Sequence, residues 1–277
     1  MPRPGLKSRR KSPAPVLLLG GGRMGTALLQ GWLANKISPI VVVEPEPSLS
    51  LRRLERKHKF VLTTTMSGIP QNDIKTCVVA IKPQVLKNTA RSLINIAMNE
   101  ATMISIAAGT TTKFLRQAWG ERAHIVRAMP NTPGAIGKGI TGLFAATGTT
   151  ARDRDCAEVL LSALGEVLWV GSENEIDAVT ALSGSGPAYV FHLVEAMTKA
   201  GISVGLSGLE AEKLARATVV GAGALLATED DSAAGLRMAV ASPGGTTEAA
   251  LKVLMPELTG LMTRTIKAAK KRAEELR

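Results

Sequence analysis

The chain has 277 residues, 45% of them hydrophobic, which is enough to bury one large or two modest cores and excludes disorder over most of its length. Its formal charge of +11 invites a nucleic-acid reading, but Arg3, Lys7, Arg9, Arg10 and Lys11 cluster ahead of any apolar segment, and the remainder is only mildly basic. No apolar run approaches the roughly 20 residues of a membrane helix, so neither nucleic acid nor membrane is an expected partner.

Pro2, Pro4, Pro13 and Pro15 punctuate the basic opening, and residues 1–14 read as a disordered tail. A transit peptide is the competing reading, against which no amphipathic helix can be drawn through those prolines. Residues 16–19 form an apolar run expected to be a buried strand, and 26–34 carry the apolar pattern of a helix. Between them Gly20-Gly21-Gly22-Arg23-Met24-Gly25 satisfies G-x-G-x-x-G in the strand-to-helix context that the motif requires. Gly20 permits the tight turn, Gly22 lets a pyrophosphate approach the backbone and Gly25 lets the helix pack on the sheet, with Arg23 and Met24 carried in the same turn.

A second strand over 40–43 ends at Glu44, about nineteen residues past Gly25, where a carboxylate accepts hydrogen bonds from an adenine ribose and repels a 2′-phosphate. That favours NADH over NADPH. Arg52 and Arg53 on the following helix, over 48–59, are either a solvated face or an alternative reach toward such a phosphate. Strands over 76–81 and 102–107, with a helix over 84–98 between them, continue the alternation.

Ala80-Ile81-Lys82-Pro83 closes the first of these strands, on the edge where open α/β sheets bind ligands. Lys82 is either a general acid or a backbone element with its side chain in solvent. The loop Met129-Pro130-Asn131-Thr132-Pro133-Gly134 offers Asn131 to a ribose or nicotinamide, or is a plain crossover turn. Strands over 123–128, 139–145 and 167–170, with a helix over 152–164, extend the sheet. The expectation is an α/β fold: a Rossmann-like dinucleotide-binding domain with a parallel sheet over 15–172.

From Glu175 onward only helical periodicity remains, broken at Gly184-Ser185-Gly186-Pro187, at 205–208, at Asp230-Asp231 and at Pro243-Gly244-Gly245. Residues 173–277 are therefore expected to be an all-helical substrate and dimerisation domain, its Ala- and Gly-rich helices suited to close packing with a second copy. Cys77 and Cys156 are isolated, as suits a reducing cytoplasm, and His58, His124 and His192 lack metal-ligand spacing, so no metal is expected.

Ser242-Pro243-Gly244-Gly245-Thr246-Thr247-Glu248 reads as a helix start built to hold an anion. Proline and glycines allow a sharp turn, the threonines cap a helix begun by Glu248, and free amides at the positive end of the helix dipole favour a carboxylate or phosphate. The plainer alternative is a capped helix after a loop.

Taken in order, Gly20 to Gly25, Ala80-Ile81-Lys82-Pro83-Gln84, Arg127-Ala128-Met129-Pro130-Asn131-Thr132-Pro133, Leu182-Ser183-Gly184-Ser185-Gly186-Pro187-Ala188-Tyr189 and Ser242 to Thr247 closely resemble pyrroline-5-carboxylate reductase. The resemblance covers everything after the tail. It implies reduction of 1-pyrroline-5-carboxylate to L-proline with NADH or NADPH. By the same resemblance the substrate carboxylate lies on Ser242 and the backbone of Gly244, Gly245, Thr246 and Thr247, and the Thr247 hydroxyl hydrogen-bonds to the ring nitrogen. Gly20, Gly22, Arg23, Met24, Gly25, Glu44, Ala80, Lys82, Pro83 and Asn131 are the expected cofactor contacts.

The resemblance further implies a homodimer whose active sites each combine the cofactor domain of one subunit with the helical domain of the other, with rings of dimers in some members. Glu173 matches a position near the cofactor only loosely. Glu44 and Ala239 depart from the family's common residues, which puts cofactor preference and one polar contact near the substrate loop in doubt. A 3-hydroxy acid dehydrogenase using Lys199, which lacks the expected Asn partner, and a nucleotide-sensing module are the competing classes; the second leaves the Ser242 to Thr247 loop without a task.

Overall fold

The structure, a computed structural model, describes residues 14–277. Residues 1–13 of the expected tail lie outside the described residues. Contacts divide the chain into two compact units, one of residues 14–180 together with 273–277, the other of residues 181–272.

In the first unit, β1 (Val16–Leu19) leads through the glycine turn into α1 (Arg23–Ala34), then β2 (Ile40–Val43), α2 (Leu49–Lys57) and β3 (Val61–Thr63). β4 (Thr76–Val79), α3 (Pro83–Thr89), α4 (Ile94–Met98), β5 (Thr102–Ser105), α5 (Thr112–Trp119) and β6 (His124–Met129) follow. β7 (Gly139–Ala145), α6 (Ala151–Leu161), β8 (Gly165–Trp169) and α7 (Glu175–Val179) complete it. The eight strands form one sheet in the order β3-β2-β1-β4-β5-β6-β7-β8.

Successive residues of a strand face opposite sides of its sheet. Leu17 and Leu19 enter the core on one side with Cys77, Val79, Met103 and Trp119. Leu18 enters the core on the other side with Leu28, Trp32, Val42, Val78 and Leu160. Helices thus cover both faces, which is why the central strands read as unbroken apolar runs. The two largest buried side chains are satisfied: Trp32 Nε1 donates to the Leu160 carbonyl at 2.7 Å and Trp119 Nε1 to that of Ala90 at 2.9 Å.

The sheet is not wholly parallel as expected, because β7 runs antiparallel to β6. Only residues 130–138 join them, turning through a short 3-10 segment at Thr132–Ile136 that ends on left-handed Gly137. A parallel return needs a crossover of a dozen or more residues. The helix expected over 84–98 is divided into α3, a 3-10 turn at Ala90–Leu93 and α4. β3 and α5 were not anticipated.

The second unit contains α8 (Gly186–Ser203), α9 (Gly208–Thr228), α10 (Ala233–Ala239) and most of α11 (Thr246–Glu275), which carries Pro256 in its interior. Pro187 occupies the first turn of α8, and a capping box between Ser207 and Glu210 starts α9. Ala211 packs against Gly201, where an added Cβ would come 3.1 Å from the Ala211 methyl. Phe191, Leu209, Val220 and Val253 are exposed on this unit. No helix among the described residues is long and apolar enough to cross a membrane.

Candidate active site

The sheet order reverses between β1 and β4, and the carboxyl ends of those strands open the crevice where doubly wound sheets take ligands. Gly20 ends β1 with φ +104°, and a Cβ there would stand 2.5 Å from the Ala80 carbonyl oxygen at the end of β4. A Cβ on Gly25 would collide with the Gly20 carbonyl, so the glycine holds α1 tight against the turn. Gly22 differs: nothing lies within 4 Å of the place its Cβ would take, directly before the first residue of α1. Open space before unpaired helix amides is the environment a pyrophosphate fits.

A cavity of about 530 Å³ occupies this crevice, and Gly20, Gly22, Glu44, Ala80 and Lys82 line it. Glu44 Oε2 accepts the Gly21 N–H at 2.6 Å and Oε1 the Glu46 N–H at 3.1 Å, so the carboxylate is fixed at one end of the cavity. Gly21 is a glycine because a side chain there would collide with Leu51 and crowd Glu44. Arg52 and Arg53 are exposed and do not line the cavity. Lys82 caps α3 from an exposed position, with Pro83 as the helix's first residue. The set fits a dinucleotide: a glycine turn at a helix start, a carboxylate just past the end of β2 and a lysine at the strand edge.

Arg23, Met24 and Gly25 follow Gly22 directly into α1, and Pro83 follows Lys82 into α3. Arg23, Met24, Gly25, Pro83 and Asn131 do not line the cavity. Asn131 Oδ1 accepts the Ile140 N–H at 3.0 Å, an organising bond across the β6–β7 connection. Glu173 accepts both the amide and the hydroxyl of Thr112, at 2.7 and 2.6 Å, and pairs with buried Arg127 at 3.0 Å. Burial pushes its carboxyl up, but the Thr112 bonds and the Arg127 guanidinium outweigh that and hold it below the usual range. Arg127 also meets buried Asp177 at 3.5 Å, and Asp177 pairs in turn with Arg277. Two cations balance two carboxylates in a mostly buried network at the end of β6.

The second constellation lies in the helical unit. Gly245 N donates to the Ser242 carbonyl at 3.0 Å, closing a turn with Pro243 and left-handed Gly244 (φ +72°) at its centre, the residue order of a type II turn. The turn feeds directly into α11. A Cβ on Gly245 would come 2.5 Å from Ser242 Oγ, so the glycine leaves room for that hydroxyl over the helix start.

Two expectations are corrected here. The helix begins at Thr246, not Glu248, with Gly245 before it, so neither threonine stands at the cap. Nor are all the loop amides free: Gly245 N closes the turn, and Gly244 N donates to Glu248 Oε2 at 2.6 Å. Thr246 and Thr247 supply amides of the first helical turn, which have no intrahelical acceptor. The Thr247 hydroxyl makes no hydrogen bond among the described residues.

Several site residues went unread in the sequence. Thr64, Thr65 and Met66 line the crevice just after β3, and Gly21 anchors Glu44. The threonine run at 63–65 was the available signal for the first group. Glu248 was read only as a helix start, although a carboxylate in the first turn is itself a signal for an amide partner.

Residues 173–276 match the pyrroline-5-carboxylate reductase dimerisation family, and residues 15–109 match the NADP oxidoreductase coenzyme F420-dependent family. A pyrroline-5-carboxylate reductase of Pseudomonas aeruginosa is 35% identical over 263 residues, covering 94% of this chain and 96% of its own. The solved pyrroline-5-carboxylate reductase of Coxiella burnetii superposes with a TM-score of 0.86 at 36% identity, covering 96% of this chain and 99% of its own. A Plasmodium falciparum pyrroline carboxylate reductase, solved with NADP bound, shares the fold at a TM-score of 0.78 and 23% identity, covering 95% of this chain and 98% of its own.

Proposed function

Because the chain belongs to the pyrroline-5-carboxylate reductase family, we propose that its two constellations divide one reduction between them, the glycine crevice holding NAD(P)H and the Ser242 to Thr247 turn holding the imino acid. The chain is an oxidoreductase that converts 1-pyrroline-5-carboxylate to L-proline, the last step of proline biosynthesis. Hydride chemistry is what a bound nicotinamide supplies.

The protein's own task is positioning. The ring carboxylate goes to Ser242, Gly244, Thr246 and Thr247, at the positive end of α11, with Gly245 closing the turn that presents them. Thr247 is the residue that touches the reacting atoms. A hydroxyl both donates and accepts, so it pairs with the ring nitrogen whether or not that nitrogen carries its proton. Neither a metal nor a histidine is needed, because the imine carbon is already electrophilic and only one proton accompanies the hydride.

What supports this assignment above all is the close succession of the Ser242 turn, its left-handed glycine and the unbonded Thr247 hydroxyl at the start of a 30-residue helix. In the other unit, Gly20, Gly22 and Gly25 shape the crevice, with Ala80 and Lys82 at the strand edge. Glu44 favours NADH, since a 2′-phosphate would meet a fixed carboxylate. Phe191, Leu209, Val220 and Val253, exposed on the helical unit, support a homodimer, and the separate free thiols of Cys77 and Cys156 support a reducing cytoplasm as its place.

The test is the initial rate of nicotinamide oxidation with 1-pyrroline-5-carboxylate, run with NADH and NADPH in parallel. Turnover with proline formed, faster with NADH, supports the reading. Folded, dinucleotide-binding protein that is inactive with both would overturn it, and a faster rate with NADPH would overturn the role given to Glu44.

A further inference from the structure

We propose, on the reading that Ser242 to Thr247 hold the substrate carboxylate, that the Glu248 carboxylate is a resident competitor for the same place and sets the enzyme's affinity for its substrate. Its Oε2 accepts the Gly244 N–H at 2.6 Å, and its Oε1 meets Lys252 Nζ at 2.9 Å. The Gly244 amide is among the donors that a substrate carboxylate would use. One N–H at that distance from one carboxylate cannot serve a second, and two carboxylates brought to one donor repel each other.

Glu248 is not what holds the loop together. The turn is closed by Gly245 N on the Ser242 carbonyl at 3.0 Å, and the first bond of α11 runs from Ala249 N to the Gly245 carbonyl at 3.2 Å. Both survive if Glu248 swings away. The side chain is partly exposed, and nothing lies within 4 Å of where a Gly244 Cβ would be, so the approach to the amide is open. Lys252, four residues along the helix, remains a partner for the displaced carboxylate.

Binding is then an exchange of one carboxylate for another. Proline keeps the carboxylate of its precursor, so the same exchange weakens product binding. Substrate, transition state and product are all affected alike, and interactions lost uniformly raise KM and leave the chemical step unchanged.

The experiment measures KM and kcat of full-length wild type, E248Q and E248A with 1-pyrroline-5-carboxylate and with carboxylate-free 1-pyrroline, each variant first checked for a wild-type thermal transition. The expected result is a KM for 1-pyrroline-5-carboxylate lowered about three- to tenfold in E248A, the scale of one displaced hydrogen bond, and less in E248Q, whose amide oxygen still accepts the Gly244 N–H but carries no charge. The KM for 1-pyrroline should not change. Proline, as product inhibitor, should bind more tightly by a similar factor. A KM unchanged or raised in E248Q and E248A, or one lowered equally for 1-pyrroline, overturns the proposal while leaving the substrate assignment standing. Inactivity of the wild type would instead overturn the assignment, and the proposal with it.

Discussion

Glu44 and Gly21 are joined by a 2.6 Å hydrogen bond across 23 positions of sequence, so the acid at the end of β2 is anchored to the glycine turn at the end of β1. The carboxylate therefore cannot rotate out of the way of a 2′-phosphate without giving up that bond. Glu44→Ser should shift the ratio of kcat/KM for NADPH over NADH upward by about tenfold or more, the scale of removing one fixed like charge from a phosphate site. Parallel steady-state kinetics with the two cofactors read this directly, and an unmoved ratio would remove Glu44 from cofactor choice.

Gly22 and Gly25 belong to the same motif but do different work. A methyl group at Gly22 meets open space, whereas one at Gly25 collides with the Gly20 carbonyl. Gly22→Ala should melt like wild type and bind dinucleotide more weakly, by about tenfold or more, because the methyl takes up the close approach of the pyrophosphate. Gly25→Ala should lower stability by about 1–3 kcal/mol, the usual scale of overpacking. Thermal melts beside fluorescence titrations with NADH separate the two outcomes.

Thr247 is the second residue of α11, past the cap position, so its hydroxyl is not needed to start the helix. Thr247→Ala should fold normally yet lose about 10–1000-fold in kcat, the scale of one hydrogen bond aimed at a reacting atom. Thr247→Ser, which keeps the hydroxyl, should recover most of the rate. Wild-type turnover by folded Thr247→Ala would exclude the residue from the reaction.

Asp153 ties α6 to the sheet. It accepts Thr102 Oγ1 at 2.5 Å and the Thr150 hydroxyl and amide at 2.6 and 2.8 Å, and it lies 2.9 Å from His124 Nδ1. Burial pushes its carboxyl up, but the Thr102 and Thr150 bonds, with His124 beside it, outweigh that and hold it below the ordinary aspartate range. A carboxyl depressed on folding contributes stability above its unfolded value, about 4, and loses it as pH falls through the folded one. Asp153→Ala should cost about 2–4 kcal/mol at pH 7, and the gap to wild type should narrow below about pH 4. Urea unfolding of both proteins at pH 7, 5 and 3 gives the comparison; a gap that widens in acid would contradict it.

The glycine turn that lines the crevice was legible because its residues are consecutive. Gly20 to Gly25 lie between a strand and a helix, and Glu44 follows at a fixed distance, so chain order alone suggested the crevice. The anchor on Glu44 was not legible, because it joins a backbone N–H to a side chain 23 positions away and leaves no mark in residue type. β3 escaped notice because it has three residues and none is buried. The reversal at β7 could have been read from the short 130–138 connection, and was missed because apolar pattern alone carries no strand direction. Arg127 opens the strand-end segment 127–133, yet its pairing with Glu173 and Asp177 joins residues about fifty apart. In the Ser242 loop the turn was readable from its proline and glycines. That Glu248 would reach back to Gly244 depended on where the helix began.

Residues 273–277 complete a unit that otherwise ends at residue 180, with Arg277 paired to Asp177 and a Gly109 Cβ position lying 2.7 Å from the Leu276 carbonyl oxygen. During synthesis these contacts cannot form when the unit's own strands have emerged. They wait for about a hundred further residues, on the order of 5–20 s at the usual pace of a ribosome. A fragment cut after Thr180 would leave Asp177 without Arg277 in the same way, so part of the polar network at the end of β6 is supplied from about a hundred positions downstream.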